Sequence, residues 1–462
     1  MAENDLNKDS GTSNNLQQGL LSAGDIEIVQ AVIINQAGQE YDVKLFIGEL
    51  NIFEDMYRPG MYGNLLVIDA NNLSNIIGLI GDEYLRLALV TPTMEALIFK
   101  TFKIYSITDR QMISDSGKQS YLLHFCSPEI FIDILSPIYQ TWSGKIDDVV
   151  GRIYSKHIST SRYGADEPTQ LVILGATDNE VKFTSPGWRP FHCINWLASR
   201  AVAQGYKNPG YLFYESNKAY YFANVEALMD LAIKDKSIYQ WYSYGAFNLN
   251  GNEPEELQYM KDIDRDYAKI EEMQVVQNFN QLKNAQNGYL ANRLITLDML
   301  SKDYQVYDYD HVSGFDDYKH LENIGGISNS DCAPFSKNAL RSPAGMVNFY
   351  PRHQYLYNGF KDNVADVIDK TLPRRISTLN ELTNFKIEIT VPGRTDVEVG
   401  AVVGLLYPDA SPRDESDKTN LKTDELYTGY YLITAIRHKI TLQKHMMILE
   451  LVKDSLKRRP GA

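Results

Sequence analysis

Cysteine is scarce: only Cys126, Cys193 and Cys332 occur in 462 residues, and none sits in a paired or metal-binding spacing. That excludes a disulfide framework and fits reduced thiols serving as small apolar side chains in cores. Long hydrophobic runs are missing as well. The apolar stretches are strand-sized and broken by Gly or charge, well short of the ~20 residues of a membrane span. The N-terminus, MAENDLNKDSGTSNNLQQG, lacks the basic head and apolar centre of a secretory signal. Positive charge is in deficit, with 45 Lys and Arg against 59 Asp and Glu and a net charge of −14. General nucleic-acid binding needs clustered cations and is disfavoured; an acidic surface instead suits nucleic acid that must pass without sticking. No Gly-rich phosphate-binding loop is present. Tryptophan is rare (4) where tyrosine is abundant (31), and tyrosine combines an apolar ring with a polar end, useful on half-buried and subunit-facing surfaces.

What is present is a repeated β-pattern. The stretch Glu398–Ser455 reads as a turn at Gly400, an apolar strand Ala401–Tyr407, a polar excursion, then the strand pair Tyr430–Lys439 and Met446–Lys453. More than three hundred residues earlier stands a shorter copy: a turn at Gly81-Asp82-Glu83, strand Tyr84–Val90, and the pair Phe102–Arg110 and Ser120–Cys126. Ile104-Tyr105-Ser106-Ile107 aligns with Ile433-Thr434-Ala435-Ile436, and Tyr121-Leu122-Leu123-His124-Phe125 with Met447-Ile448-Leu449-Glu450-Leu451. The extra length of the late copy is the loop Pro408–Leu426, and exposed insertions cost little stability. The expectation is one β-module occurring twice.

The rest of the chain fits around these copies. Residues 1–24 form a polar extension without period. From Asp25 to Cys126, six or seven short strands with regular turns, among them Arg58-Pro59-Gly60, indicate an antiparallel barrel or sandwich. After Pro128 the period changes to 3.6. One helix carries Ile146, Val149, Val150 and Ile153, and another starts at Pro190 with Phe191, Ile194, Leu197, Ala198 and Ala201 on one face. Strand pattern resumes with a hairpin over Tyr211–Tyr214 and Ala219–Phe222, and then from Lys269 to His311. It breaks again over Gly314–Pro373, where a helix carries Val364, Val367, Ile368 and Leu372, and returns at Leu382–Val391.

Catalytic chemistry has little to stand on. Asp262-x-Asp264-x-Asp266 begins like a calcium loop, but Tyr267 and Met273 occupy the positions that need Gly and Glu. His192 and Cys193 are adjacent on a helix and point about 100° apart, so they do not form a nucleophile–base pair. His438 and His445 flank the last hairpin turn and read as surface residues. The acid pairs Glu54-Asp55, Asp316-Asp317 and Asp414–Asp417 sit among turn residues, where carboxylates are usually solvated and not held in a cleft that separates their pKa values.

The run Leu50–Asp55 through Met61–Ala70, then Asn72-Leu73 and Ile76–Glu83, resembles the first barrel of the baseplate hub proteins of contractile-tailed bacteriophages. Pro186–Val202, Gly210–Glu215, Asn287–Leu294 with Asp298, and Gly429–Thr434 resemble the same family in the same order. The resemblance implies a mainly β fold with α/β insertions: two similar antiparallel β-barrels, each interrupted by an inserted domain. The expected limits are 25–127 plus 208–250 for the first barrel and 128–207 for its α/β insertion. Residues 251–313 plus 374–455 form the second barrel, 314–373 its irregular and helical insertion, and 456–462 a basic tip.

It further implies a non-enzymatic homotrimer without cofactor, whose six barrels form a pseudo-sixfold ring. That ring would join the hexameric tail tube, or a tube initiator, to a trimeric central spike, with baseplate wedge proteins as further neighbours. DNA would leave through its lumen. Related hubs of type VI secretion systems continue into a spike domain; with this chain ending at Ala462, the spike is expected to be a separate protein. Lys457, Arg458 and Arg459 are the candidate spike contact. The implied location is the virion baseplate, after assembly in the host cytoplasm. The rival readings are a tail-associated peptidoglycan hydrolase, supported by the acid pairs, and a receptor- or carbohydrate-binding β-protein, supported by the tyrosines.

Overall fold

In the computed structural model the residues described are 22–92, 97–113, 117–159, 169–234, 240–244, 262–278, 280–322, 324–325, 342–351, 367–409 and 423–457. Strands dominate. Two runs of five antiparallel strands share one order. The first is Ile47–Asp55, Tyr62–Asp69, Gln119–Cys126, Leu97–Met112 and Tyr84–Val90. The second is Glu272–Asn278, Phe385–Pro392, His445–Val452, Gly429–Ile440 and Val402–Leu406.

The two runs also share register. Ile104 faces Phe125 and Ser106 faces His124, with a one-residue slip at Tyr105. Ile433 faces Leu451 and Ala435 faces Glu450, with the slip at Thr434. A β-bulge inserts one unpaired residue, and it falls at the same place in both copies. Strand alternation sends Leu65, Val67, Phe102, Ile104, Leu123 and Phe125 into one core, and Ile387, Ile389, Tyr431, Ile433, Leu449 and Leu451 into the other. Each such side chain contributes about 1.5–3 kcal/mol on burial.

The strands Ile47–Asp55 and Gly429–Ile440 pair antiparallel, from Leu50 opposite Ile440 to Asp55 opposite Ala435, and join the two runs into one 14-stranded sheet. The barrels expected from sequence are not found as closed barrels among the described strands. In the first run the outer strand Glu27–Ile34 pairs with Tyr84–Val90 and Glu40–Asp42, while Ile47–Asp55 gives its free edge to the second run. The edges that closure would join are therefore engaged elsewhere. In the second run Trp241–Tyr244 pairs parallel to Val402–Leu406 and makes a two-residue contact with Lys269–Ile270.

The first α/β segment follows the last strand of the first run, Gln119–Cys126, and so lies between the runs instead of interrupting one. Its core combines Val149, Val150 and Ile153 of the helix Ile146–His157 with Ile194 and Leu197 of the helix Pro190–Ala198. The hairpin Tyr211–Glu215 and Tyr220–Asn224, assigned from sequence to the first barrel, pairs with Leu171–Leu174 of this segment. Its two faces divide between cores: Tyr211, Phe213, Tyr220 and Phe222 pack into the segment, Leu212, Tyr214 and Ala223 into the second run. Ala291–Asp298 and Asp303–Asp310, expected in the second barrel, form a separate sheet with Val347–Pro351. The helix Ile368–Glu381 runs past Pro373, where the sequence pattern ended it.

Candidate assembly interface

Where the two runs meet, alternation separates two kinds of chemistry. The inward residues of one seam strand are Leu50, Ile52 and Glu54; those of the other are Ile436, His438 and Ile440, all buried. Ile440 belongs to the first run's core, and Met56, just past the seam, to the second's. Each run thus completes its core with a residue of the other. Glu54, expected from sequence to be solvated, is 1% exposed, and its Oε1 accepts from His438 Nε2 at 3.2 Å. His438 Nδ1 meets His445 Nε2 at 3.0 Å. Both histidines are fully buried, not at the surface as the turn beside them suggested. Burial, and then His438, hold His445 well below the ordinary histidine pKa. The pairings offset the cost of burying these groups, although His445 Nδ1, at the end of the chain, has no hydrogen-bond partner among the described residues.

On the outward face Arg437 Nε donates to Asn51 Oδ1 at 2.9 Å, and Asn51 Nδ2 donates to Glu49 Oε1 at 2.8 Å and to Asn64 Oδ1 at 2.9 Å. Lys439 approaches Glu49 at 3.4 Å. The Asn51 amide, aided by Lys439 and Arg437, lowers the Glu49 pKa against the effect of its partial burial. Asp55 moves the other way, raised by burial despite the Tyr57 N–H it accepts. A groove of about 550 Å³ runs along this face and takes residues of both runs: Phe53, Asp55, Arg58 and His124 from one, Glu388, Arg437 and Glu450 from the other. Gly63 lies beneath it. A Cβ there would come within 2.2 Å of the Phe125 ring and 2.5 Å of the Asn51 carbonyl oxygen, so the two seam-side strands approach only because no side chain intervenes.

Beyond the seam, each singled-out residue has a place. Lys457 is exposed just after the short strand Ser455–Leu456, which pairs with Ile324–Gly325; Arg458 and Arg459 lie outside the described residues, as do Asp414–Asp417 and Cys332. Asp316 is exposed, and Asp317 accepts from Arg374 at 2.8 Å. Cys193 is buried beside Ser185 with His192 exposed on the next helical position. Asp262–Ala268 is helical, not a loop. Among the described residues no group of three His, Cys, Asp or Glu is gathered to hold a metal ion, and no helix is long and apolar enough to cross a membrane.

One carboxylate pair escaped the sequence reading. Burial, then the charge of Glu215, pushes Glu129 up to about 7. Glu215 is itself occupied, by Lys100 Nζ at 2.6 Å, Ser127 Oγ at 2.5 Å and the Met61 N–H at 2.9 Å. These contacts tie the α/β segment to the first run. The 115 positions between Lys100 and Glu215 left no local signal to find them by.

No protein-family profile matches the chain, and no curated protein matches it in sequence. Among solved structures, a tail protein from Neisseria meningitidis MC58 is similar over 92% of this chain and 96% of its own, at 11% identity and a TM-score of 0.49. The 43 kDa tail protein of prophage MuSo2 from Shewanella oneidensis is similar over 92% and 99%, at 8% identity and a TM-score of 0.45. An Escherichia coli component of the type VI secretion system is similar over 94% and 79%, at 8% identity and a TM-score of 0.40.

Proposed function

We propose that this chain is a structural baseplate hub of a contractile phage tail, three copies of which form a ring of six near-equivalent β-modules. The ring would join a sixfold tube to a threefold spike and leave an acidic passage for DNA. One observation carries the reading: two runs whose matching hairpins stand more than three hundred residues apart in sequence have the same strand order and the same hairpin bulge, and lie side by side in one sheet. A trimer offers six similar surfaces only if each chain carries its module twice, so this duplication is what a threefold-to-sixfold adaptor requires. The ordered sequence resemblance to tail hubs supports the same assignment independently.

The role is geometric. Barrel-like modules placed edge to edge remove exposed strand edges that would otherwise aggregate. The net charge of −14 supports a lumen that repels DNA phosphates. The basic tip at Lys457, Arg458 and Arg459 is assigned to the spike, and tube and wedge proteins to the remaining faces. A hydrolase would need a free acid–base pair, and the lone-pair sites of Glu215 are already engaged by Lys100, Ser127 and Met61. Native mass measurement tests the hub: a particle of three times 52.6 kDa is expected, alone or with the spike. A monomer under both conditions, or clearing of peptidoglycan in a zymogram, would overturn it.

A further inference from the structure

A second cavity, of about 900 Å³, lies away from the seam and shares no residue with the groove there. Its walls come from three places. The loop after the helix Pro190–Ala198 gives Val202, Tyr206 and Lys207; the strand Asp303–Asp310 gives Val306 to Tyr309; the start of the helix Ile368–Glu381 gives Asp369, Thr371 and Arg374. The volume falls within the ~300–1,000 Å³ of small-ligand sites, which favour junctions between folded units.

Two polar groups lining this cavity lack the partners their positions normally provide. Thr371 is 1% exposed, and its N–H donates to the Val367 carbonyl at 3.0 Å. A helical threonine can return its hydroxyl to the preceding turn, yet that of Thr371 has no partner among the described residues. Asp369 stands in the first helical turn, where backbone N–H groups favour a carboxylate; its Oδ1 has no partner among the described residues either. Buried polar groups are as a rule satisfied, so a ligand that both donates and accepts is what this wall lacks.

Charge narrows the choice. Arg374 donates to Asp317 at 2.8 Å, and Lys207 stands 3.8 Å from the same carboxylate. Asp308 is held by Arg293 through two bonds, of 2.6 and 2.8 Å. An anion would have to break one of these pairs, and among the described residues no three acids or histidines gather to hold a metal ion. Successive strand residues face opposite ways, so a cavity lined by Val306, Tyr307, Asp308 and Tyr309 together meets the strand along its edge. Four residues are short for a peptide to add as a further strand. We infer that the cavity binds a short neutral saccharide, with Thr371 and Asp369 bonded to its hydroxyls and the half-buried Tyr307 ring against an apolar sugar face. A sugar hydroxyl donates to the carboxylate and accepts from the threonine, and aromatic rings pack on the C–H faces of sugars. Glycan recognition is then a second function of a chain whose main role is geometric, and it does not depend on the hub reading.

The test is calorimetric titration of the full-length chain with three neutral probes. Chitotriose represents amino-sugar glycans of the peptidoglycan type; maltotriose and mannotriose represent hexose polysaccharides. The expected result is saturable binding of at least one probe, and the preferred probe identifies the source. Asp369→Asn, Thr371→Val and Tyr307→Ala are each expected to weaken it at least tenfold. Tyr304→Ala, 66% exposed on the opposite face of the same strand, should leave it unchanged. Asp369→Asn preserves side-chain shape, so it decides the matter even where Tyr307→Ala fails to fold. No binding of any probe, or binding that the cavity variants leave intact, would overturn the site. Binding of trilysine in place of the saccharides, lost in Asp369→Asn, would make it a peptide site and overturn the inference equally. A trimer by native mass that binds no saccharide would keep the hub reading and lose this one.

Discussion

Glu54 and His438 stand 384 positions apart in the chain and meet at 3.2 Å inside the seam, with both side chains fully buried. Removing one partner strands the other in a dry interior. Glu54→Ala is expected to cost about 3 kcal/mol, against about 1 kcal/mol or less for the double variant Glu54→Leu with His438→Leu. Urea denaturation of the two singles and the double measures the coupling, and additive losses would remove the pair from the account of the seam.

Gly63→Ala places a methyl group against the Phe125 ring and the Asn51 carbonyl. The expected loss is about 1–3 kcal/mol. Adding Phe125→Leu should recover part of it, since the ring can be trimmed, but not all, because the carbonyl cannot retreat without breaking strand pairing. Thermal melts of the three variants check this; full recovery would show that the ring alone sets the strand spacing.

His320 stacks on Phe315 with ring centres 3.6 Å apart, and its Nδ1 meets Asp454 at 2.8 Å. Burial works against its charge, yet Asp454 outweighs burial and holds the imidazole up to about 9. Its folded pKa exceeds the ordinary 6.5, so the stability from protonation is fully present below about 6.5 and is lost as pH rises through about 9. Asp454, lowered despite its burial, loses its contribution at the acid end, below its ordinary 3.8. His320→Gln should flatten the alkaline limb of a Tm-against-pH curve, and an unchanged limb would count against the pairing.

Glu129 sets a separate pH dependence. Its folded pKa of about 7 lies above the ordinary 4.5, first through burial and then through Glu215. Stability is greatest below about 4.5 and falls as pH rises to about 7, because ionisation must then occur beside an existing carboxylate. Glu129→Gln should raise Tm at pH 8 and leave it nearly unchanged at pH 4.5. Carboxyl-carbon NMR of the labelled protein reads the titration directly.

Much of the local structure was legible before any tertiary contact. Apolar strand patterns marked Tyr84–Val90 and the hairpin strands Ser120–Cys126 and Met446–Lys453, the last ending one residue earlier in the structure, because burial of one sheet face imposes a period of two. Pro190 marked its helix start, and the alignment of Ile104 with Ile433 and of Phe125 with Leu451 already contained the shared register. These signals are local, written in neighbouring side chains. The seam is not local. That Ile47–Asp55 would pair through its free edge with Gly429–Ile440 depends on which edge remains open after each run has folded, and single-strand patterns do not encode this. The same holds for the burial of Glu54, His438 and His445: a carboxylate and two imidazoles beside turns look solvated until a strand from the far end of the chain covers them. Sequence determined the strands and their repetition; edge complementarity between folded modules decided how they join, because backbone hydrogen bonds across a sheet connect residues without regard to their separation along the chain.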